Sequence, residues 1–249
     1  MKGLEFFAAH FKGFEDCYTL IGGAAAELLS GEAGLAFRAT KDLDIVVLLE
    51  NPNIVVFTEA LKEFVTNGGY EPQVGRDGEK RLYRFVKPTE TSYPAMLEIF
   101  SWLELPVMED INRAVHLPAD IVATSLSALL LDRAYYELLL QSGRIVEGVH
   151  VLDIDALILF KMKAWLDLSE RYKAGDSSID SRNIKKHFND ILRLQRLLDP
   201  NKTKVLDPSI RQDVVRFLDR ADVAEATLKN LKINAEWNEI LSELKRYYL

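Results

Sequence analysis

Cysteine is almost absent from this sequence, in which Cys17 is the single one among 249 residues. A lone cysteine excludes a disulfide within the chain and a metal site made of several thiolates, and it is typical of proteins from a reducing compartment. Long apolar runs are missing too, because stretches such as residues 45–49 have only the length of a strand. A helix that crosses a bilayer needs about 20 apolar residues. We therefore expect a cytoplasmic protein with no membrane partner.

Positive charge is in deficit as well. The chain has 31 Lys and Arg against 38 Asp and Glu, which gives a net charge of -7 and argues against a general nucleic-acid coat. Residues 161–196, however, contain nine Lys and Arg against five Asp and Glu. Such a local excess fits recognition of a phosphate-bearing ligand or an RNA backbone, and the alternative is a solvated helix surface.

The length and the remaining composition are those of an ordinary globular protein. Apolar residues make up 48% and charged residues 28% of the chain. A chain of this length can bury a sizeable core, as one large domain or two modest ones. Residues 4–11 are apolar apart from Glu5, and no cleavage-like tail follows, so we expect an amphipathic first helix and no signal peptide.

A glycine pair follows the first predicted strand. The strand covers residues 18–21, and Gly22 and Gly23 lead from it into an alanine-rich helix. Glycine has no Cβ, so its backbone can approach a ligand closely, and the first N–H groups of a helix are free to bind an anion. This order of strand, glycine pair and helix predicts a phosphate-binding turn.

Two aspartates, Asp42 and Asp44, lie in the next predicted strand, with apolar residues between and after them. Strand side chains alternate between faces, so both carboxylates project on one side of the sheet. They repel each other unless a cation lies between them, and oxygen ligands at this spacing suit Mg²⁺ that also binds nucleotide phosphates. The loop before them brings Arg38 and Lys41 close, either to hold a triphosphate or to neutralise Asp42. The alternative is a glycine turn and two solvated acids on an edge strand.

The order apolar-Gly-Gly and then Asp-apolar-Asp-apolar resembles the nucleotidyltransferase superfamily with the polymerase-beta type of fold. With 18 residues between Gly23 and Asp42, and with Arg38-Ala-Thr-Lys-Asp-Leu-Asp, the chain looks most like the AbiEii-type toxins of type IV toxin–antitoxin systems. The resemblance covers about residues 15–200. It implies Mg²⁺-dependent or Mn²⁺-dependent transfer of a nucleoside monophosphate from an NTP to an acceptor hydroxyl or phosphate, on tRNA or on a small molecule. For a toxin it also implies a cognate antitoxin protein as partner.

A third carboxylate, Glu98, lies in an otherwise apolar predicted strand. A charged residue in such a run is rarely buried without a partner or a metal. In the superfamily a carboxylate from a neighbouring strand completes the metal site and can take a proton from the attacking hydroxyl. The resemblance gives that position, and a place among the metal ligands, to Glu98. The alternative puts Glu98 on the open face of the sheet.

Two long amphipathic helices are predicted in the second half of the chain. Lys161 lies beside the apolar stripe of the first helix, and Asp190 borders the apolar face of the second. Both sequences look like later motifs of the AbiEii-type family, in which a lysine and an aspartate face the nucleotide. The resemblance assigns these catalytic roles to Lys161 and Asp190, with Lys186 as a neighbouring nucleotide-binding residue. The alternative for Lys161 is a snorkelling side chain, and Lys163 is close enough to be mistaken for it.

The expected fold class is α+β: a nucleotidyltransferase-type mixed sheet flanked by helices, followed by a C-terminal helical region. We expect residues 1–150 to form the core with the sheet and residues 151–249 a helical domain that completes the nucleotide cleft. Residues 105–141 indicate additional strands and a turn. The other expected helices cover residues 1–14, 51–66, 155–170, 180–198 and 235–248 with a further one starting at 207, and the other expected strands cover 70–74, 81–87 and 95–102.

Two further functions remain open at this stage. Position 24 is alanine where many relatives in the wider superfamily have serine, so the chain could be an inactive nucleotide-binding scaffold. A small-molecule transferase, for example one that modifies an antibiotic hydroxyl, is the alternative enzyme. Either Glu98 or Asp190 could orient or deprotonate the acceptor hydroxyl.

Overall fold

The computed structural model describes residues 2–73, 82–101 and 132–249. Seven strands are formed by these residues: β1 Tyr18–Ile21, β2 Asp42–Val47, β3 Glu71–Gln73, β4 Leu82–Val86, β5 Met96–Ser101, β6 Arg144–Val146 and β7 Val149–Val151. The α-helices of the same part of the chain are α1 Leu4–His10, α2 Gly22–Glu32, α3 Ile54–Asn67, α4 Arg133–Gln141, α5 Ile154–Lys173, α6 Ser181–Leu194, α7 Pro208–Arg220, α8 Glu225–Asn230 and α9 Trp237–Tyr248. A 3-10 turn, Gln195–Leu197, follows α6 directly.

The strands form one mixed sheet in the order β3-β4-β5-β2-β1-β7-β6. Strand β2 lies near its centre, antiparallel to β1 and parallel to β5. Strand β4 is antiparallel to β5 on the other side. In this register Asp44 lies opposite Glu98, and Glu98 lies opposite Arg84. Side chains that are directly opposite on neighbouring strands share a face, so these three form a row across the sheet.

Strand β2 separates apolar from acidic side chains as its alternation predicts. Leu43 and Ile45 are fully buried, whereas Asp42 and Asp44 on the other face are half-buried. Beneath the apolar face, the aromatic rings of α1, β1 and α3 pack together, with Phe7 and Tyr18 edge to face at 5.4 Å between centroids. This burial fixes the register of β2, because a slip by one residue would put both carboxylates into the apolar core.

Helix α5 is central to the second half of the chain. It packs against α2, α6 and α7, and its residues from Ala156 to Met162 are all buried. A helix that is buried on nearly every side shows no single apolar stripe. The neighbouring helices begin at aspartate caps: Asp180 accepts a hydrogen bond from the N–H of Arg182, and Asp207 accepts one from that of Ser209. Such caps satisfy N–H groups that the helix leaves free.

The structure corrects the expectation of strands across residues 105–141. Residues 133–141 form the helix α4, which begins where the side chain of Asp132 accepts a hydrogen bond from the N–H of Ala134. A short apolar block does not distinguish strand from buried helix by its pattern alone, which explains the error. The rest of that prediction, at 105–131, lies outside the described residues. The sequence analysis also missed β6, β7 and α8.

The α+β class is confirmed, with a mixed sheet, flanking helices and helices at the C-terminal end. The other helix and strand predictions hold with shifts of a few residues at their ends. The largest shifts are of four residues: the first helix was expected to end at residue 14 and ends at His10, and the helix expected to end at residue 198 ends at Leu194. Among the described helices, none is both long enough and apolar enough to cross a bilayer.

Candidate active site

A cavity of about 250 Å³ lies between the sheet and the helices α5 and α6. Strands β2, β4 and β5 and the start of α2 form one side, and α5 and α6 form the other. Most of the predicted site residues line it: Gly22, Gly23, Asp42, Asp44, Glu98, Lys161 and Lys186. Residues that are more than 100 positions apart in the chain therefore share one cleft.

Gly22 and Gly23 line the cavity next to the carboxylates of strand β2. Gly22 has a φ of +70°, which L-residues with a side chain rarely adopt, and a Cβ at this position would lie 1.7 Å from Oδ2 of Asp44. A Cβ on Gly23 would lie 2.9 Å from Oγ1 of Thr40. Position 22 therefore requires glycine, a side chain at Gly23 would displace that of Thr40, and the backbone at the start of α2 remains open to a ligand.

The acidic side of the cavity consists of Asp42 and Asp44 on β2 with Glu98 on β5. Burial raises the pKa of Asp42 above its usual value, and repulsion from Glu98 adds to the effect. Burial also raises the pKa of Asp44, and its closeness to Glu98 raises that pKa further. Carboxylates that are costly to ionise together are typical of sites where a cation offsets their charge.

Arg84 interrupts this acidic group. It comes from β4, and its Nη2 forms an ion pair with Oε1 of Glu98. Both side chains are largely buried, with 16% of Arg84 and 10% of Glu98 exposed. Glu98 lies opposite Asp44 in the strand register, and an arginine neutralises part of its charge. Arg84 was missed because nothing in a strand sequence tells which residue of the next strand will lie opposite.

Two of the three carboxylates, Asp42 and Asp44, are suited to bind a divalent cation. Asp42 and Asp44 offer oxygen atoms alone, on one face of one strand and open to the cavity, and this donor set suits Mg²⁺ or Mn²⁺. Within the described residues, however, no three His, Cys, Asp or Glu side chains converge as a metal-ligand group. The residues present thus fit a cation held by Asp42 and Asp44, with Glu98 engaged by Arg84.

The basic side of the cavity centres on Lys161 of α5. Its side chain is 5% exposed, and its Nζ lies 3.1 Å from Oδ2 of Asp190 on α6. Arg38 holds the same carboxylate with two hydrogen bonds, from Nε to Oδ1 at 3.0 Å and from Nη2 to Oδ2 at 2.9 Å. Burial by itself raises the pKa of Asp190, but Lys161 and Arg38 outweigh it and lower the pKa to about 2.

Three of the predicted residues, Arg38, Lys41 and Asp190, do not line the cavity. Asp190 is fully buried, and its carboxylate contacts Lys161 and Arg38. Its contacts make it a residue that positions two cations. Lys41 lines a separate depression beside the cavity, together with Lys2 and Lys87. The two depressions share Asp42.

Lys186 and His187 extend the basic side along α6. Partial burial and the cations Arg38 and Lys161 lower the pKa of Lys186 from its usual value. Burial and the charge of Lys161 lower the pKa of His187 to about 3, so its imidazole is neutral. The Nδ1 atom of His187 is buried without a partner among the described residues. The resulting potential attracts anions to this side of the cavity.

Lys163 is distinguished clearly from Lys161. Its Nζ lies 2.6 Å from Oδ2 of Asp213 on α7 and 3.6 Å from Oδ2 of Asp132 before α4. Tyr135 donates its hydroxyl to the same Oδ2 of Asp213 at 3.3 Å. Lys163 therefore belongs to a polar network that connects three helices, on the side of α5 away from the cavity.

Several residues of the cavity wall were not among the predicted site residues, and the polar ones are Thr40, Arg84, Ser178, Asn183 and His187. Thr40 lies next to Lys41, within the segment that the resemblance already singled out. Asn183 and His187 lie three residues before and one residue after Lys186, on the side of α6 that faces the cavity. Helical spacing from Lys186 could have indicated Asn183.

Comparisons with known proteins add little to this geometry. No known protein family matches the sequence, and no curated protein matches it either. Among solved structures, the chain is similar to the crystal structure of the Megavirus polyadenylate synthase, with a TM-score of 0.31 and 8% sequence identity. That alignment covers 99% of this chain and 49% of the viral chain, so the chain spans about half the length of its structural neighbour. A likeness this remote carries no argument about function.

Proposed function

We propose that this chain is a nucleotidyltransferase that transfers a nucleoside monophosphate from an NTP to an acceptor hydroxyl. The observation that carries the proposal is the composition of one cavity. Two carboxylates, Asp42 and Asp44, lie on one side with the glycine pair that starts α2, and the cations Lys161 and Lys186 lie on the other side. A nucleoside triphosphate with a divalent cation has the matching distribution of charge.

The glycine turn and the basic side would bind the phosphates. The backbone N–H groups at the start of α2 approach the ligand closely because Gly22 and Gly23 have no side chains. Lys161 lines the cavity, and its Nζ lies 3.1 Å from Oδ2 of Asp190. Held in this way, its ammonium offsets the negative charge that develops on the leaving pyrophosphate.

The reaction itself exchanges one bond for another. The acceptor hydroxyl oxygen attacks the α-phosphorus, the bond from that phosphorus to the bridging oxygen breaks, and pyrophosphate leaves with the bonding electrons. When bound at Asp42 and Asp44, Mg²⁺ supplies charge neutralisation at the α-phosphate. Catalysis of this kind depends on placement and electrostatics more than on covalent steps.

The hydroxyl proton needs an acceptor, and the sequence left Glu98 and Asp190 open for this role. Glu98 lines the cavity, whereas Asp190 is fully buried behind two cations that lower its pKa to about 2. A carboxylate with such a pKa is a poor base at neutral pH. The proposal therefore assigns proton transfer or acceptor orientation to Glu98, and to Asp190 the positioning of Lys161 and Arg38.

The direct test mixes the purified protein with each α-³²P-labelled NTP, Mg²⁺ and a pool of either tRNA or small hydroxyl compounds. Label in the acceptor together with release of pyrophosphate is the expected result, and Asp42→Ala should abolish both. Lys163→Ala is the matched control, since Lys163 lies outside the cavity. Transfer that persists in Asp42→Ala would refute the proposal.

Further experiments address the toxin role, the possibility of an inactive scaffold and the choice of acceptor. A role as the toxin of a toxin–antitoxin system would appear as growth arrest on expression, relieved by the product of a neighbouring gene. An inactive nucleotide-binding scaffold would bind NTP in calorimetry without forming product. The choice between tRNA and a small-molecule acceptor follows from which pool becomes labelled.

A further inference from the structure

The row of three side chains across β2, β5 and β4 has a consequence for the metal content of the site. Asp44, Glu98 and Arg84 are directly opposite one another in the strand register, and all three line the cavity. We propose that Arg84 takes the position of a second metal ion. The site then binds one divalent cation, at Asp42 and Asp44. This inference rests on the proposed nucleotidyl transfer.

The first argument concerns the available ligands. Two-metal sites place their ions about 3.5–4 Å apart and need carboxylates that serve both ions. Here Glu98 is the third carboxylate, and its Oε1 is paired with Nη2 of Arg84. Within the part of the chain that the structure describes, no three acidic or histidine side chains converge as metal ligands. The ligands for one cation are present, and those for a second are committed to an arginine.

The second argument concerns how firmly Arg84 is held. Its side chain is 16% exposed, and its Nε is buried without a hydrogen-bond partner among the described residues. An arginine in a surface ion pair moves freely, but a largely buried guanidinium stays where its carboxylate is, because an unpaired buried charge is costly. Arg84 thus keeps a positive charge against Glu98, one strand away from Asp44, and this charge repels a second dication.

Without a metal ion bound to it, Glu98 can contact the acceptor hydroxyl. A carboxylate that ligates no metal remains available for the acceptor hydroxyl, and Arg84 fixes its orientation through the ion pair. Arg84 is in this sense a positioning residue for Glu98 and an electrostatic substitute for a metal ion. A guanidinium performs both functions without dissociating from the protein.

The test counts metal ions. Crystals of the protein with Mn²⁺ and a non-hydrolysable NTP analogue should show one anomalous peak in the cavity, in contact with Asp42 and Asp44 and not with Glu98. Two peaks, with Glu98 as a ligand of one, would overturn the inference and leave the proposed nucleotidyl transfer intact. A protein that bound neither Mn²⁺ nor the analogue would refute the proposed function, and the inference with it.

Variants test whether the charge of Arg84, at its position beside Glu98, limits the number of bound metal ions. Arg84→Gln should raise the number of Mn²⁺ ions from one to two, or tighten Mn²⁺ binding without nucleotide by at least about tenfold in calorimetry. Lys186→Gln removes an equal charge from the same cavity without touching Glu98, and it should leave the number at one. Arg84→Lys, which keeps the charge, should also bind one. Thermal unfolding of each variant checks that it is folded, and an Arg84→Gln protein that binds one Mn²⁺ with unchanged affinity would contradict the inference.

Discussion

The ammonium of Lys161 lies 3.1 Å from the carboxylate of Asp190, although the two residues come from different helices and are 29 positions apart. Asp190 is fully buried, and Arg38 binds it from the loop before β2. This carboxylate therefore ties the two helices of the basic side to the loop that precedes the acidic strand. A third cation, Arg193 of α6, lies 3.7 Å from Oδ1 of Asp190. A buried acid with several cationic partners holds them in place, since loss of one leaves charge uncompensated.

The two lysines of α5 should respond differently to substitution. Lys161→Ala removes the cation that lines the cavity, and we expect the transfer rate to fall about 100-fold to 1,000-fold, as for the loss of one electrostatic catalytic group. Lys163→Ala removes a partner of Asp213 and should lower the melting temperature with little effect on rate. Initial rates with labelled NTP and thermal unfolding would be measured on both proteins. Equal losses of rate would mean that the position of Lys161 in the cavity has no catalytic importance.

The two ends of α2 offer a matched pair of glycine substitutions. Gly22→Ala places a methyl group at a φ of +70° and 1.7 Å from Oδ2 of Asp44. We expect it to cost at least about 1–2 kcal/mol of unfolding free energy and to displace Asp44. Gly31→Ala, near the end of the same helix, has no atom within 4 Å of the new Cβ and should stabilise by about 0.5–1 kcal/mol. Urea unfolding tests both, and a stabilised Gly22→Ala protein would contradict the described turn.

Asp44→Asn should separate stability from activity. The pKa of Asp44 is raised well above its usual value by burial and by Glu98, so its ionised form destabilises the folded protein at neutral pH. The neutral amide should therefore raise the melting temperature in the absence of metal. It should also abolish the increase in melting temperature that Mg²⁺ with NTP gives the unchanged protein. A lower melting temperature without metal would show that Asp44 is already stabilised by a partner.

His187 should make stability depend on pH below neutrality. Its pKa is about 3 in the folded protein because of burial and the charge of Lys161, and about 6.5 in an unfolded chain. Between these values the unfolded chain binds a proton that the folded chain does not bind. The free energy of unfolding therefore decreases as the pH falls from 6.5 towards 3, by up to about 1.4 kcal/mol per pH unit. His187→Gln should remove this contribution, and an unchanged slope in urea unfolding from pH 6.5 to 4.5 would contradict it.

Local rules predicted how several of the cavity residues are arranged. Alternation along β2 was sufficient to put Asp42 and Asp44 on one face, because the side-chain period of a strand does not depend on the rest of the fold. The glycine pair indicated a turn that a side chain would obstruct, and Gly22 confirms it with its positive φ. Neither inference required knowledge of what lies across the cavity.

The chain sequence thus determined which residues could form an acidic strand, a glycine turn and a basic helix. Tertiary structure decided which of two nearby lysines meets the cavity, since positions two apart on a helix point in nearly opposite directions and α5 is apolar on both sides. It also decided that Asp190 supports Lys161 from behind and that Arg84 lies against Glu98. These pairings depend on strand order and helix packing, which bring together residues that no local pattern connects.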